Sequence, residues 1–219
     1  MMIAIDGPAG AGKGTLARHL AHLYSLDHLD TGLLYRAVAF KLLATKSELN
    51  DHGAALQAAL SLKPVDLEHP ALRDEVVGQG ASIIAVFPEV RQALLDFQRT
   101  FAKNPSSDKQ GVILDGRDIG LFVLAEAPCK IFVTASPEVR AERRFKELQQ
   151  KNIWCTFNAI LEDLRERDTR DQTREFYALR PADDAFILDT SHLGIQDALE
   201  QVSFFVDSVY PKSRKVAML

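Results

Sequence analysis

Short continuous apolar runs alternate along the chain with longer stretches in which apolar residues recur every three or four positions. The first run, Met2-Ile3-Ala4-Ile5, passes directly into Gly7-Pro8-Ala9-Gly10-Ala11-Gly12. That pattern predicts a buried strand ending in a glycine-rich turn. Leu16, Leu20 and Leu23 follow at i, i+4 and i+7 and predict an amphipathic helix from about Lys13. A second helix, carrying Leu34, Val38 and Leu42, begins after Asp30-Thr31-Gly32, with Asp30 or Thr31 as its cap.

Residues 46–75 are mixed and polar, with Pro64 and Pro70, and predict a small lobe with little regular structure. Helical spacing resumes over 76–103, where Pro88 can open a new helix. Pro105 to Asp108 reads as a loop. Val112-Ile113-Leu114-Asp115, Lys130 to Thr134 and Phe186 to Asp189 read as further strands. Ser136 caps a helix with Pro137 at its first position, and that helix breaks at 152–156 and restarts near Phe157. A last helix covers Ile195 to Val209. Short apolar strands alternating with helices imply an α/β fold, with a parallel sheet covered on both faces. There is no internal repeat.

Length and composition narrow this further. A chain of 219 residues fits one domain with a substantial core. Its 26% charged and 47% apolar residues exclude a disordered or fibrous class. A formal charge of −4 argues against coating nucleic acid or an anionic membrane by bulk electrostatics. No apolar stretch approaches the roughly 18 residues of a membrane span. The opening MMIAIDG lacks the basic region of a signal peptide, and Cys129 and Cys155 have no partner spacing. The expectation is therefore a cytoplasmic chain in a reducing compartment.

The strongest chemical signal is Gly7-Pro8-Ala9-Gly10-Ala11-Gly12-Lys13-Gly14-Thr15, set between the first strand and the first helix. Glycines let backbone N–H groups turn inward around a phosphate, and the helix N-terminus adds favourable partial charge. Lys13 would reach the β and γ phosphates, and Thr15 supplies the hydroxyl one place later than the strict pattern. At ordinary residue frequencies such a pattern arises in roughly two chains per ten thousand. It predicts a bound nucleoside triphosphate. Asp115, ending an apolar strand, is placed like an acid that holds Mg²⁺ or its waters.

Eight of the fifteen arginines (Arg140, Arg143, Arg144, Arg165, Arg167, Arg170, Arg174 and Arg180) lie between 140 and 180. Arg167, Arg170, Asp171 and Arg174 are expected on one helix, where offsets of 3, 4 and 7 put all four on one face. Arg140 to Arg144 and Arg170 to Arg174 are repulsive i, i+4 pairs. Two arginine-bearing helices around the break at Trp154 could close as a lid. Guanidinium forks suit a transfer between two polyanions, which needs no general base because the acceptor phosphate oxygen is already an anion. The histidines carry no motif, and His19 with His22 lacks a third metal ligand.

These residues together resemble the bacterial cytidylate kinases, within the nucleoside monophosphate kinases. The resemblance rests on the loop ending Gly12-Lys13-Gly14-Thr15 and on Leu29-Asp30-Thr31-Gly32 with Tyr35-Arg36. It continues through Ala81-Ser82, Val90-Arg91, Gln98-Arg99, Asp115-Gly116-Arg117-Asp118, Arg167-Asp168 to Arg174, and Pro181 to Ala185. It implies a P-loop NTPase-type, five-stranded parallel sheet flanked by helices, with a small monophosphate-binding lobe and a helical lid. The whole chain would be one domain: core 1–30, 104–145 and 175–219, lobe about 31–103, lid about 146–174.

The implied activity is ATP- and Mg²⁺-dependent phosphorylation of CMP and dCMP to their diphosphates by direct transfer. The alternatives are another acceptor such as UMP or AMP, or a nucleotide-binding regulator without transfer activity. By the same resemblance, residues 7–15 bind ATP, with Thr15 and Asp115 on the metal. Arg36 and Arg117 hold the CMP phosphate near Thr31, while Ser82, Arg91 and Asp118 read the cytosine. Arg167 and Asp171 meet the ribose beside Arg174, and Arg144 and Arg170 join Lys13 and Arg117 on the transferring phosphoryl group. A monomer without nucleic acid or membrane partners is expected.

The chain departs from the family pattern in four places. The lobe between Leu62 and Val77 is short, and Glu175 to Leu179 replaces a stretch ending Ala-Pro-Leu. Leu121 to Glu126 lacks the usual Thr and Pro, and the loop from Pro105 to Gly111 is long.

Overall fold

Five strands, β1 (Met2–Asp6), β2 (Asp27–Asp30), β3 (Val112–Gly116), β4 (Cys129–Thr134) and β5 (Phe186–Asp189), form one sheet in the order β2-β3-β1-β4-β5. The ladders of β1 with β3 and β4, and of β4 with β5, are parallel. This is a computed structural model, and it describes residues 1–175 and 177–211. Phe176, within one departure from the family pattern, and residues 212–219 of the expected core lie outside the described residues.

The helices in chain order are α1 (Lys13–Tyr24), α2 (Gly32–Ala44), α3 (His52–Leu60) and α4 (Glu75–Ile84). After them come α5 (Pro88–Lys103), α6 (Pro137–Gln150), α7 (Phe157–Gln172) and α8 (Ile195–Val209). The chain divides into two bodies, residues 1–28 with the described part of 105–219, and residues 29–104.

In the first body, strand alternation sends Ile3, Ile5, Ile113, Ile131 and Val133 toward Leu16 and Leu20 of α1 and Val202 and Val206 of α8. The intervening Ala4 and Leu114 are also fully buried, which is why these strands read as unbroken apolar runs. Helices α6 and α7 pack through Ala141, Leu148, Ile160 and Leu164, with Ala9 of the glycine loop in the same cluster. Ser136 Oγ accepts the Val139 N–H at α6, and Thr156 Oγ1 accepts the Ala159 N–H at α7, so the predicted break is capped on its far side. Cys129 is buried among apolar atoms that push its thiol up to about 12.

In the second body, α2 packs on α3 and α4, and α3 on α5.

Three local expectations are corrected. Residues 46–75 are more regular than their polarity suggests, holding α3 and two short 3₁₀ turns at Pro64–Glu68 and Pro70–Arg73. Asp51 caps α3 by accepting the Ala54 N–H at 2.9 Å, and its interior is mostly alanine, which favours helix while adding little apolar periodicity. Thr31 occupies the N-cap of α2 but makes no side-chain capping bond, because its own backbone is already helical (φ −66°, ψ −20°). Helix α7 ends at Gln172, so Arg174 lies beyond it rather than on it. Strand β2 escaped the sequence reading because Asp27-His28-Leu29-Asp30 has one apolar residue, which an edge position tolerates.

Candidate active site

The glycine loop leaves β1 and enters α1 with no side chain capping the helix. Gly7 must be glycine, since a Cβ there would lie 1.9 Å from the Val133 carbonyl oxygen. Gly12, the N-cap residue, has φ +96°, a left-handed conformation that side chains rarely adopt. The first amides of α1 have no intrahelical acceptors and no side-chain cap, which makes them donors for a phosphate. Lys13 is buried and donates from Nζ to the Pro8 carbonyl at 2.8 Å, across the cradle.

Asp115 lies on the α1 side of the sheet, in the same parity as Ile113. Its Oδ2 is 3.7 Å from the Cβ position of Gly14. Its Oδ1 is 2.7 Å from His28 Nε2. No motif announced His28; strand pairing alone joins residues 87 positions apart. The Thr15 hydroxyl accepts from Arg18 Nη2 at 3.2 Å. Thr15 and Asp115 offer hard oxygen donors of the kind Mg²⁺ takes alongside phosphate oxygens, so the residues present fit that ion. Among the described residues no group of three His, Cys, Asp or Glu side chains could hold a metal by itself.

Beside the cradle lies a cavity of about 230 Å³, lined in part by Gly12, Thr15, Arg143, Thr190, Leu193 and Ile195. Arg143 donates to the Thr190 hydroxyl (3.0 Å) and carbonyl (2.6 Å), and the hydroxyl donates to the Ala11 carbonyl at 3.2 Å. Arg143 was legible only as one of a crowd, and Thr190 gave no signal at all.

A single π-helical turn over Ile119–Val123 follows Arg117 and Asp118. Asp6, at the end of β1, accepts the Ile119 N–H on Oδ1 and the Gly120 N–H on Oδ2, both at 2.7 Å. Burial raises the Asp6 carboxyl from 3.8 to about 7, against the lowering pull of the two amides and Lys13; nearby Asp118 adds to the rise. Arg117 Nε donates to Asp171 Oδ2 at 2.8 Å, and Arg174 Nη2 donates to Asp171 Oδ1. Asp171 is buried, which raises its pKa, but the guanidinium groups of Arg117, Arg174 and Arg167 win and hold it below its usual range.

The arginine cluster thus divides. Arg117, Arg167 and Arg174 surround Asp171. Arg144 pairs with Glu147 and Arg165 with Glu138, both at 2.8 Å. Arg140 is buried and holds Asp168, so it is spent on structure. Arg170 keeps a buried Nε that has no hydrogen-bond partner among the described residues, and Arg180 is exposed.

In the second body Arg36, on α2, donates to the carbonyls of Leu72 (2.7 Å) and Asp74 (3.3 Å). A Cβ on Gly78 would stand 2.7 Å from its Nη2. Arg91 lies over the Tyr35 ring, 5.5 Å from the centroid, and donates to the Ala85 carbonyl at 3.0 Å. Ser82 and Thr31 are buried, and the Ser82 hydroxyl has no hydrogen-bond partner among the described residues.

A lysine-bearing glycine loop between the first strand and first helix of a parallel sheet defines a P-loop nucleotide-binding protein. The sequence pattern of the family described as cytidylate kinase matches residues 3–207. A cytidylate kinase of Methylocella silvestris is 49% identical over 214 residues, covering 98% of this chain and 97% of that one. Another, of Paramagnetospirillum magneticum, is 53% identical over 197 residues, covering 90% and 93%. The chain belongs to the cytidylate kinase family and is a phosphotransferase. Its fold also resembles that of an uncharacterized protein from Eubacterium ventriosum, with a TM-score of 0.53 at 16% identity over 95% of this chain and 99% of that one.

Proposed function

We propose that the protein transfers the γ-phosphoryl group of ATP to CMP and dCMP. The carrying observation is that β1 both opens the phosphate cradle and, through Asp6, anchors the turn that follows Arg117 and Asp118. Donor-binding and acceptor-binding residues therefore hang on one strand end.

Residues 7–15 cradle the ATP phosphates, and the cavity at Arg143 and Thr190 has room for part of the rest of the nucleotide. Thr15 and Asp115 would hold Mg²⁺, which when bound neutralises phosphate charge. Arg36 and Arg117 hold the acceptor phosphate near Thr31. Cytosine presents an amine donor where uracil presents an acceptor; the Asp118 carboxylate and the Ser82 hydroxyl suit that donor, and Arg91 is assigned to base reading with them. Arg167, Asp171 and Arg174 meet the ribose. Lys13, Arg117, Arg144 and Arg170 neutralise charge on the group in flight, so catalysis is positioning plus electrostatics. In this reading residues 31–103 form the acceptor lobe and 146–174 a lid that excludes water. Free thiols at Cys129 and Cys155 favour the cytoplasm, and the protein acts as a monomer. No helix among the described residues is long and apolar enough to cross a membrane.

A coupled assay with ATP and Mg²⁺ against CMP, dCMP, UMP and AMP tests the reading. CMP and dCMP should give the highest kcat/KM. Preference for UMP or AMP would replace the acceptor, and ATP binding without any diphosphate product would make the protein a regulator.

A further inference from the structure

We propose that Asp6 is a positioning residue for acceptor recognition, setting the preference for cytosine through the turn that follows Arg117 and Asp118. The inference rests on the acceptor roles assigned above. The first amides of a helical turn lack partners within it, and here Ile119 and Gly120 are buried. A serine, an asparagine or a water could satisfy one of them. Asp6 satisfies both, Ile119 on one oxygen and Gly120 on the other, each at 2.7 Å. A single planar group thereby fixes two successive peptides, immediately after Asp118. The Asp118 carbonyl in turn accepts from Phe122 (3.0 Å) and Val123 (3.3 Å), so the base-reading residue is held from both sides of the turn.

A fully buried carboxylate is a costly way to cap a short turn, and burial opposes its charge strongly. Two features offset that cost in function. Asp6 immediately precedes Gly7, so the turn is referenced to the root of the phosphate cradle. It also fixes the peptide that follows Asp118, whose carboxylate favours a ligand that presents a donor, as cytosine does, over one that presents an acceptor. Gly120 leaves room for the arrangement: a Cβ there would lie 3.3 Å from Asp6 Oδ2 and 3.3 Å from Lys130 Cγ and Cδ.

The test uses the full chain and two substitutions that approach the contact from opposite sides. Asp6→Asn keeps the shape but turns an amide N–H₂ on one of the two backbone donors. Gly120→Ala crowds the carboxylate and keeps both donors. Kinetics are measured with CMP and UMP as acceptors, together with KM for ATP and the melting temperature. Asp6→Asn should raise KM for CMP and lower the CMP-over-UMP ratio of kcat/KM, each by about tenfold, with KM for ATP changed less than about twofold. Gly120→Ala should move the same two quantities in the same direction by less, and it decides the matter if Asp6→Asn does not fold. A lowered melting temperature with an unchanged ratio in the folded variants would mean a purely structural cap and overturn the proposal. So would a rise in KM for ATP alone. If the wild type prefers another monophosphate, the functional reading fails by itself, and the ratio is taken for that acceptor instead.

Discussion

Arg140 grips both carboxylate oxygens of Asp168, Nη1 to Oδ1 at 3.0 Å and Nη2 to Oδ2 at 2.6 Å. The same guanidinium donates from Nε to the Ala135 carbonyl at 2.9 Å and from Nη1 to the Ala9 carbonyl at 3.2 Å. One side chain thus joins the end of β4, the glycine loop and α7. Its bidentate geometry is the strong form of an ion pair. Removing one partner leaves a buried charge, so Asp168→Ala should cost about 3 kcal/mol in urea denaturation. Replacing both residues by apolar ones of similar volume should recover much of that loss. A single-variant cost under about 0.5 kcal/mol would show that solvent already screens the pair.

Lys13 is the only cation inside the glycine loop, and its contact with the Pro8 carbonyl is a local one. Lys13→Ala should therefore lower kcat a hundredfold or more, on the order of the loss of one transition-state donor, and leave the melting temperature nearly unchanged. Turnover comparable to the wild type in the folded variant would remove Lys13 from the chemistry.

Ser82 separates binding from stability. Its hydroxyl is buried without a hydrogen-bond partner among the described residues, so nothing within them is lost when it goes. Ser82→Ala should hold or slightly raise stability, within about 0.5 kcal/mol, while raising KM for CMP. Calorimetry and initial rates on the same preparation check this, and an unchanged KM would leave the hydroxyl without a role in base reading.

The raised carboxyl of Asp6 makes stability depend on pH with a definite sign. Between the ordinary value of 3.8 and about 7 the folded protein holds a proton that the unfolded chain has released. Its contribution is complete below the unfolded value and is lost as pH rises through about 7. Asp6→Asn cannot ionise, so its stability should fall less over that interval than the wild type's. Urea midpoints across the interval give both slopes, and equal slopes would mean that Asp6 titrates near its ordinary value. Asp171, whose pKa is lowered, acts below that window and does not confuse the comparison.

Much was readable before the fold was known. The apolar runs at Ile3, Ile113 and Ile131 betrayed strands because a central parallel sheet buries both faces, and helix starts at Pro88 and Pro137 follow from proline's fixed φ. The glycine loop was legible because its chemistry is written in consecutive residues. Helix α3 was obscured by small alanines, and β2 by an edge position that asks for little hydrophobicity.

The sequence by itself determined the cradle, the order of every strand but β2 and every helix but α3, and the set of arginines available, since each depends on residues near one another along the chain. Only the tertiary structure decided what each arginine does. Arg140 turns inward to Asp168, Arg117 and Arg174 converge on Asp171, and Arg144 stays with Glu147 at the surface. It alone placed Asp6 on the amides of Ile119 and Gly120, more than a hundred positions away, and His28 on Asp115. The physical reason is range: periodicity and capping act over one or two turns of chain, whereas a buried charge is settled by whichever partner the packed sheet brings to it.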